Sequence, residues 1–375
     1  MHEVVIVGAG PVGLFLGALL LGEGVDVRIL EQRSERSDHS RAIGIHPPAL
    51  AALELVGVAG ALMAEGVQIG RGLARSGGVP VAELSFAHVL PYPFVLTIPQ
   101  ARTEELLEER VRALDPAALL RGAAVTGLHD AGTHITVTGS AGAFQARLLI
   151  GADGARSTVR RLLGIPTRGR DYPDTYLMGD FPDTGSDGST AVLYLEPGGI
   201  VESFPLPGSL RRWVVHTDSL LSGASAAELA GLILDRTGVS VPAEENRMLS
   251  AFGVRSRMAL RMVAGRAALL GDAAHEISPI GGQGMNLGWL DAAALAPIIV
   301  AALRGEPTGA RLERFGQSRM LASRVATGQA WLNMALGRPQ PASALNLRHA
   351  ILRPIFRRKW PGDVVAGRFS MQPFR

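Results

Sequence analysis

His2-Glu-Val-Val-Ile-Val-Gly-Ala-Gly-Pro-Val-Gly13 is the stretch on which the fold turns. Its first half is a short β-branched run, the pattern of a strand buried on both faces. Its second half spells G-x-G-x-x-G, and Pro11 to Glu23 continues in a helical pattern broken by Gly22 and Gly24. Val25 to Leu30 gives a second strand, and Glu31 follows it, 18 residues beyond Gly13. Strand, glycine turn, helix, strand and terminal acid are the parts of a dinucleotide-binding βαβ unit. Each has a mechanical reason. Gly8 permits the tight turn, Gly10 lets the backbone approach a pyrophosphate, and Gly13 with Gly17 lets the helix lie close on the strand. Pro11 and Val12 open a helix whose free N–H groups and positive end suit a diphosphate. Glu31 suits ribose hydroxyls and disfavours a 2′-phosphate, which points to FAD or NAD rather than NADP at this loop.

Downstream, Arg102–Leu114 reads as a charged helix, His134–Thr138 as an alternating strand, and Arg147–Gly154 as a strand ending in a tight turn. From about Gly164 to Gly253 the texture changes to short β-prone runs punctuated by Pro, Gly and Asp: Ala191–Leu195, Ile200–Phe204 and Arg212–Thr217. One helix is predicted near Ala224–Asp235. Ala267–Leu270 then reads as a strand and Met285–Val300 as a long helix, before a helical tail interrupted by prolines. The expected class is α/β. A discontinuous Rossmann-like domain covers 1–163 and 254–335, an inserted β-sheet substrate domain 164–253, and a helical C-terminal tail 336–375.

Composition narrows the function. The 375 residues are 47% hydrophobic and 19% charged, a chain that packs rather than one that stays disordered. There is no cysteine, so disulfides, thiolate nucleophiles and zinc–thiolate sites are excluded. Lys359 is the only lysine and Trp360 follows it, which excludes a Walker phosphate loop. A net charge of +3 with dispersed arginines argues against nucleic-acid binding. No apolar run, Val12–Leu21 and Ala292–Leu303 included, reaches the ~18–20 residues of a membrane span. With no secretory signal expected, the location expected is cytoplasmic. The tail from Leu345 to Trp360 interleaves apolar and basic residues, and its expected role is a helix covering the first domain rather than a membrane contact.

Two further segments decide between FAD and NAD. Gly151-Ala-Asp-Gly-Ala-Arg-Ser-Thr-Val-Arg160 and Gly271-Asp-Ala-Ala-His-Glu-Ile-Ser-Pro-Ile-Gly-Gly-Gln-Gly-Met-Asn-Leu-Gly288 resemble the second and third fingerprints of the FAD-dependent aromatic hydroxylases, the para-hydroxybenzoate hydroxylase-like single-component monooxygenases. Ser40–Leu50 and Ile98–Leu107 resemble the same family, in the same order along the chain. The thioredoxin-like C-terminal domain of larger phenol hydroxylases has no counterpart in the sequence. The resemblance implies one non-covalent FAD, with Arg41 on its pyrophosphate, Gln100 on its phosphate–ribityl region and the backbone of Val125 at its adenine. It further implies Asp153 and Gly154 in a turn serving FAD and NAD(P)H, Asp272 on the ribityl chain, and Pro279 beside a small pocket at flavin C4a. Gln32 stands where many relatives carry arginine, leaving Arg33 one position late for the adenine.

The implied reaction takes electrons from NAD(P)H, adds O2 to the flavin as a C4a-hydroperoxide and hydroxylates a phenolic ring. The residues suit this independently. Gly282 and Gly284 let the backbone approach a flat ring, and Met285-Asn286 begin a helix whose amides face the charge of a reduced flavin. His275, beside Ala273 and Ala274 in a glycine-rich turn, reads as a structural histidine bonded to backbone. A flavin halogenase is argued against because the only lysine, Lys359, sits in the tail and there is no Trp-x-Trp-x-Ile motif. An FAD-dependent reductase of an isoprenoid-type substrate and a non-catalytic flavin-binding protein remain the alternatives. No catalytic residue is singled out: Tyr92, Tyr172, Tyr176, Tyr194 and His216 could each relay a phenolic proton, and each also suits core packing. The apolar insert suggests a large, poorly charged aromatic, a polyketide-like polycycle, rather than a small aromatic acid.

Overall fold

The computed structural model describes residues 1–36, 42–345 and 371. Arg41 and the tail beyond Leu345 therefore lie outside the described residues, apart from Met371. The opening strand His2–Val7 sits between Gly142–Gly151 and Val27–Glu31 and pairs with both in parallel. Leu119–Arg121 and Ala267–Leu269 extend the parallel sheet on either side. Burial on both faces explains the unbroken run: Val4, Val5 and Ile6 are wholly inaccessible. Helix Pro11–Gly22 packs on this sheet through Leu14, Phe15 and Leu16, which share one core with Trp289 and Leu295 of the long helix Gln283–Leu303. That helix, with a mean hydropathy of 1.6, is the one described helix long and apolar enough to cross a membrane, and it is 67% buried as a core helix.

The second sheet has eight strands and roofs the first domain. Its order is His275–Glu276, Met248–Ala259, Thr167–Pro182, Leu210–Thr217, Val201–Leu206, Ala191–Tyr194, Arg71–Ser76, Val79–Ser85. It reaches beyond the expected 164–253 at both ends. Residues 71–85 join because Ala191–Tyr194 pairs in parallel with Arg71–Ser76, a long-range pairing with no local signal. Residues 254–259 join because Met248–Ala259 continues its ladder out to the Thr167–Ala259 pair. Thr167–Pro182 runs 16 residues through Gly169, Pro173 and Gly179, punctuation that hid the strand from sequence reading. The pairing slips between Asp171 and Thr175, which accommodates Pro173.

One face of the roof sheet is closed by the predicted helix, observed at Ala226–Thr237. Ser225 and Glu228 form a reciprocal capping box at its start, and Gly238, in the left-handed region at φ 74°, ends it. Leu229 and Ile233 bury against Leu177, Phe181, Val201, Trp213 and Val215. The opposite face carries Tyr176, Met178, Val214 and Phe252 and meets Ile280 and Met334 of the first domain. Met334 belongs to the helix Gly309–Gly337, the last long described element.

Candidate dinucleotide cleft and its roof

The glycine loop is built by contact rather than by flexibility. A Cβ on Gly13 would lie 2.0 Å from the Gly8 carbonyl oxygen, and one on Gly8 would lie 2.4 Å from that of Ala152. Gly10 has open space where its side chain would be. The loop is thus clamped beneath by the turn after Gly151 and left open above. No side chain caps helix Pro11–Gly22, so the amides of its first turn face that opening.

Asp153 holds the turn below. Its carboxylate accepts from Ser157 Oγ at 2.5 Å and from the amides of Thr158 and Val159 at 2.7 and 3.0 Å. These bonds fasten the short helix Thr158–Leu162, and Gly154 at φ 76° completes the turn. Arg160 reaches across to the carbonyls of Ala273 and Ala155, both at 2.8 Å, and so ties the second fingerprint to the third.

Glu31 lies buried at the end of its strand. Its Oε2 accepts from the Ala9 amide at 2.8 Å and its Oε1 from the Arg33 amide at 2.9 Å, which fixes the carboxylate beside the glycine loop. The Arg33 residue itself is exposed. Gln100 begins the helix Gln100–Leu114, and its amide donates to Glu104 at 2.7 Å. Burial raises the Glu104 carboxyl, opposed by that hydrogen bond and by Arg33. The backbone of Gln100 meets Ala42 and that of Ile98 meets Ile43, which joins the two secondary motif segments. Val125 opens the strand Val125–Asp130 just after Ala123, whose amide bonds the Glu31 carbonyl.

The third segment closes the cleft from the other side. A Cβ on Gly288 would lie 2.4 Å from Val12 Cγ2, and Trp289 Nε1 donates to the Pro11 carbonyl at 3.0 Å. The start of helix Gln283–Leu303 is thereby pressed against the glycine loop. Gly281 and Gly282 take φ of 95° and 64°, and no side chain caps this helix either. Gly284 and Met285 are half-buried and Pro279 is exposed. The Asn286 side chain is fully engaged: it accepts from the His46 amide at 2.8 Å and donates to the Gly44 and Gly282 carbonyls at 2.9 and 2.7 Å. Only its backbone is left to face a ligand. His46 is buried beneath Gly281, and burial lowers it to about 4, so it is neutral.

Asp272 is exposed beside Gly284, and its carboxylate has no hydrogen-bond partner among the described residues. Crowding by the surrounding protein nevertheless pushes it up to about 6, against the pull of His275. His275 is a structural residue, as expected, but its partner is a side chain: Nε2 meets the carboxylate of Asp291, which also accepts from Arg319 Nε at 2.6 Å. Glu276 is paired with Arg255 at 2.6 Å.

The fit to a flavin dinucleotide rests on these observations. Two helices present uncapped N-termini, a clamped loop leaves space above Gly10, and a carboxylate without a partner lies exposed beside Gly284. This combination defines a two-domain dinucleotide-binding flavoprotein.

Comparison with known proteins agrees. Residues 1–330 match the FAD binding domain family. The chain is 34% identical over 341 residues to a 12-dehydrotetracycline 5-monooxygenase/anhydrotetracycline 6-monooxygenase of Streptomyces rimosus, covering 85% of this chain and 66% of that protein. It superimposes on a p-nitrophenol 4-monooxygenase from Pseudomonas putida with a TM-score of 0.89 at 26% identity, covering 100% and 99% of the two chains. For the anhydrotetracycline hydroxylase of Streptomyces rimosus the TM-score is 0.80 at 30% identity, over 100% of this chain and 76% of that one. The chain belongs to the FAD-dependent aromatic hydroxylase family, and its cofactor is FAD. It spans about two thirds of the length of the curated relatives it matches.

Sequence reading missed Gly288, Trp289 and Arg160 as the parts that hold the cleft together. Their signal was present, since all three lie within or beside the quoted fingerprints. Asp272 carries the clearest prediction at this site. Asp272→Asn is expected to keep the apo-protein folded and to weaken FAD binding roughly ten- to a hundred-fold, the loss of one charge-assisted hydrogen bond. Flavin fluorescence titration of the apo-protein measures it, and an unchanged Kd removes Asp272 from the cofactor contacts.

Proposed function

We propose that the protein is an FAD-dependent monooxygenase that uses NAD(P)H and O2 to hydroxylate a neutral, phenolic, polycyclic aromatic compound. The observation that carries this reading is the convergence of the uncapped helix Gln283–Leu303, the exposed Pro279 and the apolar roof face of Met178 and Val214 around Ile280. Bound FAD supplies the redox chemistry, taking two electrons from the nicotinamide and activating O2. The protein's residues bind and orient. The amides of Val12 and Gly13 hold the pyrophosphate, Glu31 the adenosine ribose, and Asp272 the ribityl chain. Asp153 acts through the turn it fastens, while Gln100, Val125 and Arg33 line the adenine and phosphate end. The uncapped amides after Gly282 would favour negative charge on a flavin ring held beside them. The roof sheet excludes water from the reacting centre. The relatives' names, which include tetracycline-type substrates, support a fused-ring compound. A cytoplasmic setting, where NAD(P)H is available, fits this chemistry.

The test uses the yellow holoprotein and a series of phenols of increasing ring number. NAD(P)H oxidation in air is expected to rise by an order of magnitude or more with a fused-ring phenol, with product carrying one added oxygen atom. Mismatched phenols are expected to release hydrogen peroxide instead. If no phenol accelerates oxidation and no oxygenated product forms, the reading fails; saturation of a double bond under anaerobic conditions would replace it with a reductase.

A further inference from the structure

Six carboxylates are buried among the described residues, and five have protein partners. Glu31 is held by two amides, and Glu108 by Arg112 and Arg121. Asp174 is bound by Arg338, Asp180 by Arg212, and Asp291 by His275 and Arg319. Glu202 is the exception. It is 8% exposed and has neither a hydrogen-bond partner nor a cation among the described residues. A buried, unpaired carboxylate is costly, and folds rarely carry one without use.

Its place in the sheet suggests the use. Val201 packs beneath helix Ala226–Thr237, so the alternation of the strand turns Glu202 to the opposite face. There its register partners are Leu193 and Val214, both in the cluster containing Ile280 and Met334. On the same face, across the intervening strand Leu210–Thr217, is Tyr176, wholly buried, whose hydroxyl also has no partner among the described residues. Tyr176 stacks on Phe252 and meets His216 edge-on, so its ring is fixed. Burial first, and then the charge of Glu202, raise its phenol. The face that looks toward the Pro279–Gly282 loop is thus apolar around Met178 and Val214, and its buried groups without a hydrogen-bond partner among the described residues are Glu202, the Tyr176 hydroxyl and His216 Nδ1.

We propose that Glu202 is a catalytic residue that accepts the hydrogen bond, and then the proton, of the hydroxyl of a neutral phenolic substrate held between the roof sheet and the Pro279–Gly282 loop. This rests on the hydroxylase reading above. In the step, the substrate O–H bond breaks, its electron pair stays on the substrate oxygen, and an O–H bond forms on the carboxylate; nothing is oxidised or reduced. The resulting phenolate is the more electron-rich ring for an electrophilic oxygen. Substrates with a carboxylate at this end are disfavoured, because they would meet the charge of Glu202.

Burial places Glu202 at about 7, so its anionic form grows as pH rises through neutrality. The other ionisable groups on the neighbouring strands are accounted for. Tyr176 is raised, His216 is lowered mainly by burial, and Arg212–Asp180 and Arg338–Asp174 are paired. A neutral donor binds an anionic acceptor more tightly than a protonated one.

The test measures 2-naphthol binding to the FAD-loaded protein by perturbation of flavin absorbance between pH 5.5 and 8.5. Wild-type affinity is expected to rise roughly tenfold through pH 7. Glu202→Gln should hold FAD normally and bind at the low-pH affinity throughout, while Glu202→Asp should keep the pH dependence with weaker binding. The same pH dependence in Glu202→Gln and wild type overturns the assignment, as does wild-type binding that is absent or flat with pH. That wild-type result decides even if Glu202→Gln loses its flavin. Binding that depends on Glu202, with no oxygenated product from any phenol, leaves the assignment standing and removes the hydroxylase reading.

Discussion

Gly13→Ala is expected to yield a protein that retains no FAD and accumulates poorly in soluble form. The new Cβ would sit 2.0 Å from the Gly8 carbonyl oxygen and 3.1 Å from its carbon, both backbone atoms with no rotamer to escape into. Relief requires either the helix Pro11–Gly22 or the loop to move. The loop cannot yield downward, because Gly8 already lies against Ala152 and Asp153. If the helix lifts, it loses the close packing of Gly17 on Ile29 and of Val12 on Gly288. A cost on the order of 3–5 kcal/mol is expected, with the first-turn amides displaced from the position a pyrophosphate needs. Gly10→Ala is the control: its Cβ meets nothing within 4 Å, so the fold should survive while cofactor affinity falls. Flavin content after purification and thermal melting of the two variants check this. A yellow, normally melting Gly13→Ala protein would contradict the geometry.

The second large effect is expected at Asp291. It is wholly buried and joins three parts of the site: His275 in the third fingerprint, its own helix, and Arg319 of Gly309–Gly337. Asp291→Ala leaves His275 and Arg319 without their counter-charge in the core, which costs about 3–5 kcal/mol and a clear fall in Tm. The pair also gives a pH signature. Burial pulls the His275 imidazole down, but the charge and hydrogen bond of Asp291 outweigh it, so the ring ends above its usual value of 6.5. A raised folded-state value means that the stabilisation is complete below the unfolded value and is lost as pH rises through the folded one. Glu202, raised from 4.5 to about 7, loses its contribution earlier, between those two values. The part of the decline in wild-type Tm that sets in as pH rises past the usual imidazole value of 6.5 and depends on Asp291 reports His275. It should vanish in Asp291→Asn, measured by a melting series from pH 5 to 9. A decline of equal slope in the variant would assign it elsewhere.

Much of the site was legible because its parts are local. In the opening βαβ unit, glycine spacing, strand pattern and terminal acid fall within 30 residues, and sterics alone fix what each must do. Asp272 and the glycine run at 281–284 belong to the same class, since a turn followed by a helix start is written in consecutive residues. Asp153 was read as part of a turn in the site, and the bonds by which it holds that turn came only with the fold. The fold commits its carboxylate to Ser157, Thr158 and Val159, so it works by holding a turn. The tyrosines and His216 could not be ranked from sequence, since alternation along a strand says that a residue changes face without saying which face meets the cleft.

Glu202 marks the boundary between the two kinds of information. Ile200-Val-Glu-Ser-Phe204 contains an acid within an apolar strand, and that much was readable. Whether the acid meets water, an arginine or nothing depends on what the strand pairs with and what covers it. The sequence of this protein was sufficient for a flavin-binding α/β domain with a sheet-rich companion, because those follow from short-range pattern and backbone sterics. The tertiary structure alone decided that residues 71–85 complete the roof and that Gly288 and Trp289 lock the glycine loop. It alone decided that His275 answers to Asp291 and that one of the six buried carboxylates among the described residues is left unpaired. Those are outcomes of packing between segments that the fold brings together, 16 residues apart for His275 and Asp291 and 100 or more for the sheet and loop contacts, or of desolvation, which is a property of the surroundings and not of the residue.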